Sequence, residues 1–515
     1  MERPAYPIAD RRPWLWLVTG ALIGLFTYGA WLVPPLVWVA PIFTMRFMRA
    51  QPVLRGFALA LPVTAAMLAV LLRGVVPIPG VGFAIFVVVG AAMGLVPYLL
   101  DRVLAPRLPA FAATLVFPLA MVALELLNAQ GEWGTWGATA YTQAGILPLA
   151  QLASVAGLWG VVFLISWPAS LVNWAWEQGW RWERVRAGAL LYAGLLALSL
   201  GFGYARLATA TTQATVRVAG IPSDQPSLVS RDETHGELIG RVIAGAADPA
   251  DRDAARALFE AGNARLLERS ADEAGAGARI VFWAEGNGTV LKDDEAALVE
   301  RGRALAREQG IYLGMALAVL TPGAERPLEN KIVLVTPAGE IGFEYLKAFP
   351  VPGGEAAGSV LGEARLPTLD TPYGRIGAVI CFDMDHHAYI RQAAAQGVDI
   401  LFAPANTWPE VAETHAAMAR VRAIENGVSL LRPASNGVSI AADPYGRTLA
   451  RSDSWQTEGG ALVASLPARA VPTIYGRIGD APAYAAVAAL ALLAAWAIAR
   501  GLQRRAVARR QSSPA

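Results

Sequence analysis

Three side chains in this 515-residue chain have the types and settings of a nucleophilic set. Cys381 is the only cysteine, and it closes the apolar run Arg375-Ile-Gly-Ala-Val-Ile-Cys381. A lone cysteine removes an intramolecular disulfide and a cysteine-rich metal site, which leaves inert packing or nucleophilic attack. Glu285 ends Val281-Phe-Trp-Ala-Glu285, and a carboxylate directly after four apolar residues is costly unless paired. Lys347 follows Phe343-Glu-Tyr-Leu. The chain has 43 Lys+Arg, yet its lysines are Lys292, Lys331 and Lys347 alone. A lysine kept where arginine is the default suits a site that needs a compact ammonium. Lys292, at a polar helix start, reads as incidental. Together a carboxylate can take the thiol proton, and an ammonium can favour the thiolate and stabilise a tetrahedral oxyanion. The backbone N–H of Phe382 would be a second oxyanion donor.

The elements that must position these groups alternate between strand-like and helix-like. Short apolar runs with turn residues on their flanks predict strands at 215–220, 279–285, 311–317, 331–337, 375–381, 399–404, 428–433 and 437–442. Mixed charge and apolar spacing predict helices at 250–273, 293–309, 386–397 and 410–426. The polar, patternless stretch 222–249 is expected to be a loop. Proline and glycine concentrate at 349–358, a rigid non-helical stretch. Roughly 270 residues suffice for one large α/β core.

The rest of the chain is of another kind. The composition is 55% hydrophobic and 16% charged, with a mean hydropathy of +0.40. That is too apolar for an ordinary soluble protein and too charged for a pure membrane bundle. The charge is segregated into a helical region over 1–204, a soluble-type domain over 205–475, and a final apolar segment with a basic tail over 476–515. A spanning helix needs roughly 20 apolar residues. Eight candidate spans follow: 13–31, 33–48, 56–75, 80–100, 109–128, 153–176, 187–204 and 481–499, the first two separated only by Pro34-Pro35. The first block lacks a small-residue cleavage site, so it reads as a span and not a signal peptide. Arginines orient the spans. One side carries Arg3, Arg11, Arg12, Arg46, Arg49, Arg55, Arg102, Arg107, Arg181, Arg184, Arg186 and the tail Arg500, Arg504, Arg505, Arg509 and Arg510; the opposite short loops carry Arg73. Both termini are therefore expected in the cytoplasm and the domain on the outer side of the cytoplasmic (inner) membrane. The net charge of +2 mostly reflects this bias and does not argue for nucleic acid.

The motifs resemble the three blocks of the nitrilase superfamily: Trp283-Ala-Glu285, Lys347 followed through Pro-Val-Pro-Gly-Gly by Glu355, and Ile380-Cys381-Phe382-Asp383. Arg422-Ala-Ile-Glu425-Asn426 and Ser435-Asn436-Gly437 resemble its later segments. With seven spans before the domain and one after it, the chain resembles the apolipoprotein N-acyltransferase family over nearly its whole length. Glu125, the Trp-rich loop 131–136, 147–154 and Pro472-Thr-Ile-Tyr475 fit as well. The resemblance implies a four-layer αββα nitrilase-like α/β domain inserted in an eight-helix transmembrane bundle. It implies Glu285 as general base, Lys347 as oxyanion stabiliser, Cys381 as nucleophile and Glu355 as a second active-site carboxylate. It implies a phospholipid acyl donor, a thioester, and the α-amine of a diacylglyceryl-cysteine lipoprotein as acceptor, with no cofactor. The family's usual Trp-Pro-Glu is Trp-Ala-Glu here, its usual glutamate after Cys-aromatic is Asp383, and Asn406-Thr-Trp408-Pro-Glu410 departs from its usual Phe-Gly pair after the tryptophan.

Other candidates are ranked behind these. Phe382, Asp383, Trp408 and Glu125 are expected to bind substrate, Glu125 because an ionisable group at membrane depth needs a function or a polar partner. Trp133 and Trp136 suit either acyl-chain contact or interfacial anchoring. His386 and His387 read as structural or substrate-lining groups. No third ligand with suitable spacing supports a metal site. A membrane-tethered amidase or nitrilase shares the same three groups and differs in using water. A transporter is disfavoured, because the spans lack repeated intramembrane charges.

Overall fold

The computed structural model describes residues 7–210, 214–222, 233–456 and 460–511. They divide into two compact units: Met1–Gly131, Gly137–Ala208 and Ile478–Ala515 form one, and Glu132–Trp136 with Thr209–Arg477 form the other.

The first unit is helical. Among the described residues six helices are long and apolar enough to cross a membrane: Val53–Leu71, Gly80–Arg107, Phe111–Ala129, Ala153–Glu177, Trp182–Ala208 and Ala481–Arg504. They leave large apolar side chains exposed, among them Leu54, Val81, Leu198 and Leu492, as helices facing lipid do. The first two expected spans are shorter than anticipated. Pro13–Gly24 has 12 residues and Leu36–Arg49 has 14, roughly 18 and 21 Å at 1.5 Å per residue, against a hydrocarbon core of about 30 Å. The first helix stops where the Thr27 hydroxyl and N–H both turn back to the Gly24 carbonyl (2.7 and 3.1 Å) and Gly29 turns left-handed (φ 66°). Arg49, counted above among the orienting arginines, works inside the bundle. It is 2% exposed, and its guanidinium donates twice to Asp101 (2.8 and 2.8 Å) and once to Glu177 (3.0 Å). Three elements are thereby joined by one buried, charge-assisted network.

The second unit holds two mixed sheets. The first runs Leu462–Pro467, Thr215–Ile221, Ile280–Trp283, Tyr312–Leu320, Leu328–Val335, Ile341–Leu346, with Gly288–Leu291 also pairing with Tyr312–Leu320. The second runs Thr448–Asp453, Val438–Ala442, Ser429–Arg432, Ile400–Phe402, Gly374–Ala378, Thr368–Thr371. The middle of each is parallel: Thr215–Ile221, Ile280–Trp283 and Tyr312–Leu320 in one, Gly374–Ala378, Ile400–Phe402 and Ser429–Arg432 in the other. Ile280–Trp283, Tyr312–Leu320 and Ile400–Phe402 are buried along their whole length and read as uninterrupted apolar runs, because both faces are covered. The Phe282 ring of the first sheet stacks on Phe402 of the second (centroids 4.1 Å, planes 7° apart). Gly314 makes room for that stack, since a Cβ there would lie 2.3 Å from the Phe282 ring.

Each expected strand coincides with an observed one, and the expected helices are Pro249–Gly275, Glu295–Gln309, His387–Ala395 and Pro409–Asn426. The expected loop 222–249 is corrected in part: Glu233–Ile243 is a helix, and residues 223–232 lie outside the described residues. Its buried Ile239 and Val242 join Phe259 and Leu320 in one apolar cluster, so tertiary packing supports a helix whose polar composition hid it.

The stack predicts a stability contrast. Gly314→Ala should cost about 1–3 kcal/mol by forcing Phe282 off Phe402. Gly236→Ala, a helical position with nothing within 4 Å of the added Cβ, should leave the melting temperature unchanged or slightly higher. Thermal unfolding of the two full-length variants in detergent checks this.

Candidate active site

Three strand ends converge in the second unit. Ile280–Trp283 is pinned beyond its last residue by the Ala284 N–H on the Ile221 carbonyl (2.9 Å), and the chain turns at Gly286 (φ 66°). Glu285 therefore sits at the carboxyl end of a parallel strand, where α/β folds place their ligands. Lys347 follows Ile341–Leu346, and its N–H continues the ladder to the Asn330 carbonyl (2.9 Å). Cys381 follows Gly374–Ala378 and starts the 3₁₀ turn Cys381–Asp385. Its φ is +46°, a conformation that non-glycine residues hold only when their surroundings impose it.

The side chains meet around one cation. The Lys347 ammonium donates to Glu285 Oε1 (2.8 Å) and Glu355 Oε1 (2.7 Å) and is 2% exposed. Asn330 Nδ2 bridges the same two oxygens (2.8 and 3.2 Å). Glu285 Oε2 accepts from the Asn406 N–H (2.7 Å), and Glu355 Oε2 accepts from the Val351 N–H (2.8 Å). The Cys381 thiol donates to the Asn406 carbonyl (3.7 Å), so one peptide residue touches both Glu285 and the thiol. The Phe382 N–H has no hydrogen-bond partner among the described residues, which leaves it able to serve an oxyanion.

The electrostatics fit a thiol that loses its proton during attack and not before it. Burial pushes the Cys381 pKa up, the Glu285 charge pushes it further, and Lys347 and Arg432 pull it back. Burial would lower the Lys347 pKa, but Glu285 and then Glu355 hold it well above the ordinary lysine value. Glu355 resists burial through Lys347 and stays below the usual glutamate value. The other two lysines are ion-paired elsewhere: Lys292 with Glu295 and Glu329 (2.9 and 2.7 Å), Lys331 with Glu295 and Glu329.

The remaining candidates fall in different places. Asp383 is fully buried, and both oxygens are engaged: Oδ1 accepts from the Phe349 N–H (2.9 Å), Oδ2 from the Tyr345 hydroxyl (2.7 Å) and the Ile380 N–H (2.8 Å). Burial raises its pKa to about 7, against the pull of Lys347 and these donors. It caps the turn that carries Cys381. Phe382 is buried, with its ring at right angles to Trp133 (6.4 Å, 88°). His386 stacks on Phe349 (3.8 Å, 17°), and burial lowers its pKa to about 4, so it is neutral at pH 7. His387 is buried beside it, at the start of His387–Ala395. Trp408 is partly buried at the N-cap of Pro409–Asn426. Glu125 belongs to the helical unit, where it accepts from the Thr139 hydroxyl and N–H (3.2 Å for the latter). Among the described residues no cluster of three or more His, Cys, Asp or Glu could hold a metal ion.

Sequence reasoning missed Asn330, Tyr345, Asn406 as a backbone donor and acceptor, and Arg432. Arg432 is a fully buried arginine whose Nη1 donates to the Val438 carbonyl (3.0 Å). Its place after Ser429-Leu-Leu, the same apolar-run-then-charge signal that marked Glu285, could have flagged it.

A thiol at a strand end, beside a lysine clasped by two carboxylates, in a two-sheet α/β domain defines a carbon–nitrogen hydrolase-type enzyme. The carbon–nitrogen hydrolase family model matches residues 253–475. The apolipoprotein N-acyltransferase of Bradyrhizobium diazoefficiens is 31% identical, over 70% of this chain and 68% of the relative. That of Geobacter metallireducens is 27% identical, over 75% of this chain and 74% of the relative. The chain belongs to the apolipoprotein N-acyltransferase family of the nitrilase superfamily. Among solved structures, an amidase from Nesterenkonia sp. is 21% identical, covering 51% of this chain and 94% of that one, with a TM-score of 0.39.

Two outcomes follow from the geometry. Glu285→Gln should slow acylation of Cys381 by two to four orders of magnitude, about the usual weight of a general base. The same change removes a charge that holds the thiol pKa up, so the midpoint of Cys381 alkylation should move to lower pH. A rate-against-pH series with a small alkylating reagent and single-turnover acylation read the two effects separately. Lys347→Arg should be nearly as damaging as Lys347→Ala in the same acylation assay, because a planar guanidinium cannot occupy a point contact shared by two carboxylates at 2.8 and 2.7 Å.

Proposed function

We propose that this enzyme transfers an acyl chain from a phospholipid, through a thioester on Cys381, to the free α-amine of a lipoprotein's N-terminal diacylglyceryl-cysteine. The observation that carries the reading is the buried Glu285–Lys347–Cys381 set in a chain whose described residues include six helices of spanning length. A small amide needs no membrane platform, whereas two lipid-anchored substrates reach a thiol only at the membrane surface, where holding both makes the encounter local and oriented.

The steps balance within the site. Glu285 takes the Cys381 proton as sulfur bonds to the phospholipid ester carbonyl carbon, and Lys347 with the Phe382 N–H carries the oxyanion. Collapse breaks the ester C–O bond, and the proton on Glu285 leaves with the lysophospholipid oxygen. The acceptor amine then attacks the thioester carbon and gives a proton to Glu285. The C–S bond breaks, and the thiolate regains that proton. Glu355 holds Lys347 in place throughout. Because Lys347 stays charged well beyond neutrality, no alkaline loss of rate is expected from it.

The same reading assigns four αββα layers to the catalytic domain over 205–475, eight membrane crossings by 1–204 and 476–515, an outward-facing active site and cytoplasmic termini. The arginine bias supports this orientation. Phe382 and Trp408 are proposed to shield the thioester, and Glu125 to bind substrate.

The test uses the full-length protein in detergent with labelled phospholipid, with and without a diacylglyceryl-cysteine peptide. Labelled N-acyl peptide should form, with little free fatty acid when the peptide is absent. Fatty acid released at one rate in both arms, with no acylated peptide, would instead make the enzyme an amidase-like hydrolase.

A further inference from the structure

Residues 132–136 lie in sequence between two apolar helices, yet they pack within the catalytic unit. They do so on the turn that carries the nucleophile. The Asp385 carbonyl accepts from both the Thr135 N–H (2.9 Å) and the Thr135 hydroxyl (2.7 Å). The same hydroxyl accepts from Arg422 Nη2 (2.6 Å), while Arg422 Nε donates to the neighbouring Met384 carbonyl (3.1 Å). Glu425 holds the third arm of that guanidinium. The last two carbonyls of the turn Cys381–Asp385, which lack intrahelical partners, are thus capped by one assembly.

The approach is close enough to restrict residue type. Gly134 is left-handed (φ 55°), and a Cβ there would lie 2.6 Å from the Asp385 carbonyl oxygen. At the other end of the turn, the Trp133 ring meets Phe382 edge-on. Asp383 fixes the front of the turn through the Ile380 and Phe349 N–H groups. Nothing in that front anchor holds residues 384 and 385. A cysteine at φ +46° persists only when its surroundings over-determine it.

We infer that Thr135 is a positioning residue for Cys381: with Arg422 it latches the back of the nucleophile turn, and Gly134 permits the contact. It touches no reacting atom and acts through the turn. The inference rests on Cys381 being the nucleophile and is independent of which acceptor resolves the thioester.

The test compares Thr135→Val, which keeps the shape and removes the hydroxyl, with Thr135→Ser, which keeps it. Two readouts are taken on full-length protein in detergent: single-turnover acylation by phospholipid, and the pH dependence of iodoacetamide alkylation. Cys381 is the only thiol in the chain, so the label is unambiguous. Thr135→Val should lower the acylation rate about ten-fold, the worth of one well-placed hydrogen bond to a charged group, with KM for phospholipid unchanged. It should also move the alkylation midpoint by roughly half a pH unit or more as the thiol shifts against Lys347 and Glu285. Thr135→Ser should stay within about two-fold of the parent on both. Gly134→Ala, which removes no hydrogen-bonding group, should reproduce the valine variant, and Thr135→Ala replaces valine if the latter does not fold. Wild-type acylation and alkylation in Thr135→Val, or a serine variant as impaired as the valine one, would overturn the latch. If the parent takes no acyl group from phospholipid, the acyltransferase reading falls, and the alkylation arm alone decides the latch.

Discussion

The Lys347 ammonium, buried between Glu285 and Glu355, is the interaction on which the site depends. A buried ammonium is tolerable only when paired, and removing one partner of such a group typically costs about 3–5 kcal/mol. Each carboxylate spends its other oxygen on a different piece of chain. Glu285 reaches the Asn406 N–H beyond strand Ile400–Phe402, and Glu355 reaches Val351 in the Pro/Gly stretch. One cation therefore organises the ends of both sheets and the Pro/Gly stretch, which was expected to be non-helical but holds the short helix Gly354–Gly358 that carries Glu355. Lysine suits this role better than arginine because its ammonium is a compact donor that can turn toward two acids at once.

Cys381 is governed by a second constraint, its own left-handed backbone. The Asp383 carboxylate folds back on the turn, accepting from Ile380, Phe349 and Tyr345. Around it lies a buried set that does not hydrogen-bond internally. Asp385 and His415 are 3.9 Å apart, and burial drives their pKa values in opposite directions, to about 7 and about 3, with Arg432 acting on both. The field at the sulfur is thus a balance of burial and Glu285 against two cations. It keeps the thiol protonated at rest.

Much of this was legible in the chain, for a physical reason. Strands buried on both faces, such as Ile280–Trp283 and Tyr312–Leu320, must be apolar throughout, and a charged or reactive residue closing an apolar run stands out; Glu285 and Cys381 were found that way. Edge strands hid. Thr368–Thr371 and Thr448–Asp453 are half-exposed and carry polar residues that read as loop. Asn330 and Asn406 escaped because their contributions depend on register and on backbone groups, which residue identity does not reveal. Thr135 escaped for the same reason: its partners lie 250 and 287 residues away. The apolar blocks were correctly seen as helical, but hydropathy alone could not show that Gly29 and Thr27 end the first helix early.

The central claim is that Cys381 forms a covalent bond to the acyl group under the control of Lys347 and Glu285. Peptide mapping by mass spectrometry after exposure to phospholipid of defined chain length tests it most directly. The account predicts an added acyl mass on the peptide containing Cys381, removable by neutral hydroxylamine and missing in Cys381→Ser. An adduct on another residue, or turnover retained in Cys381→Ser, would contradict it.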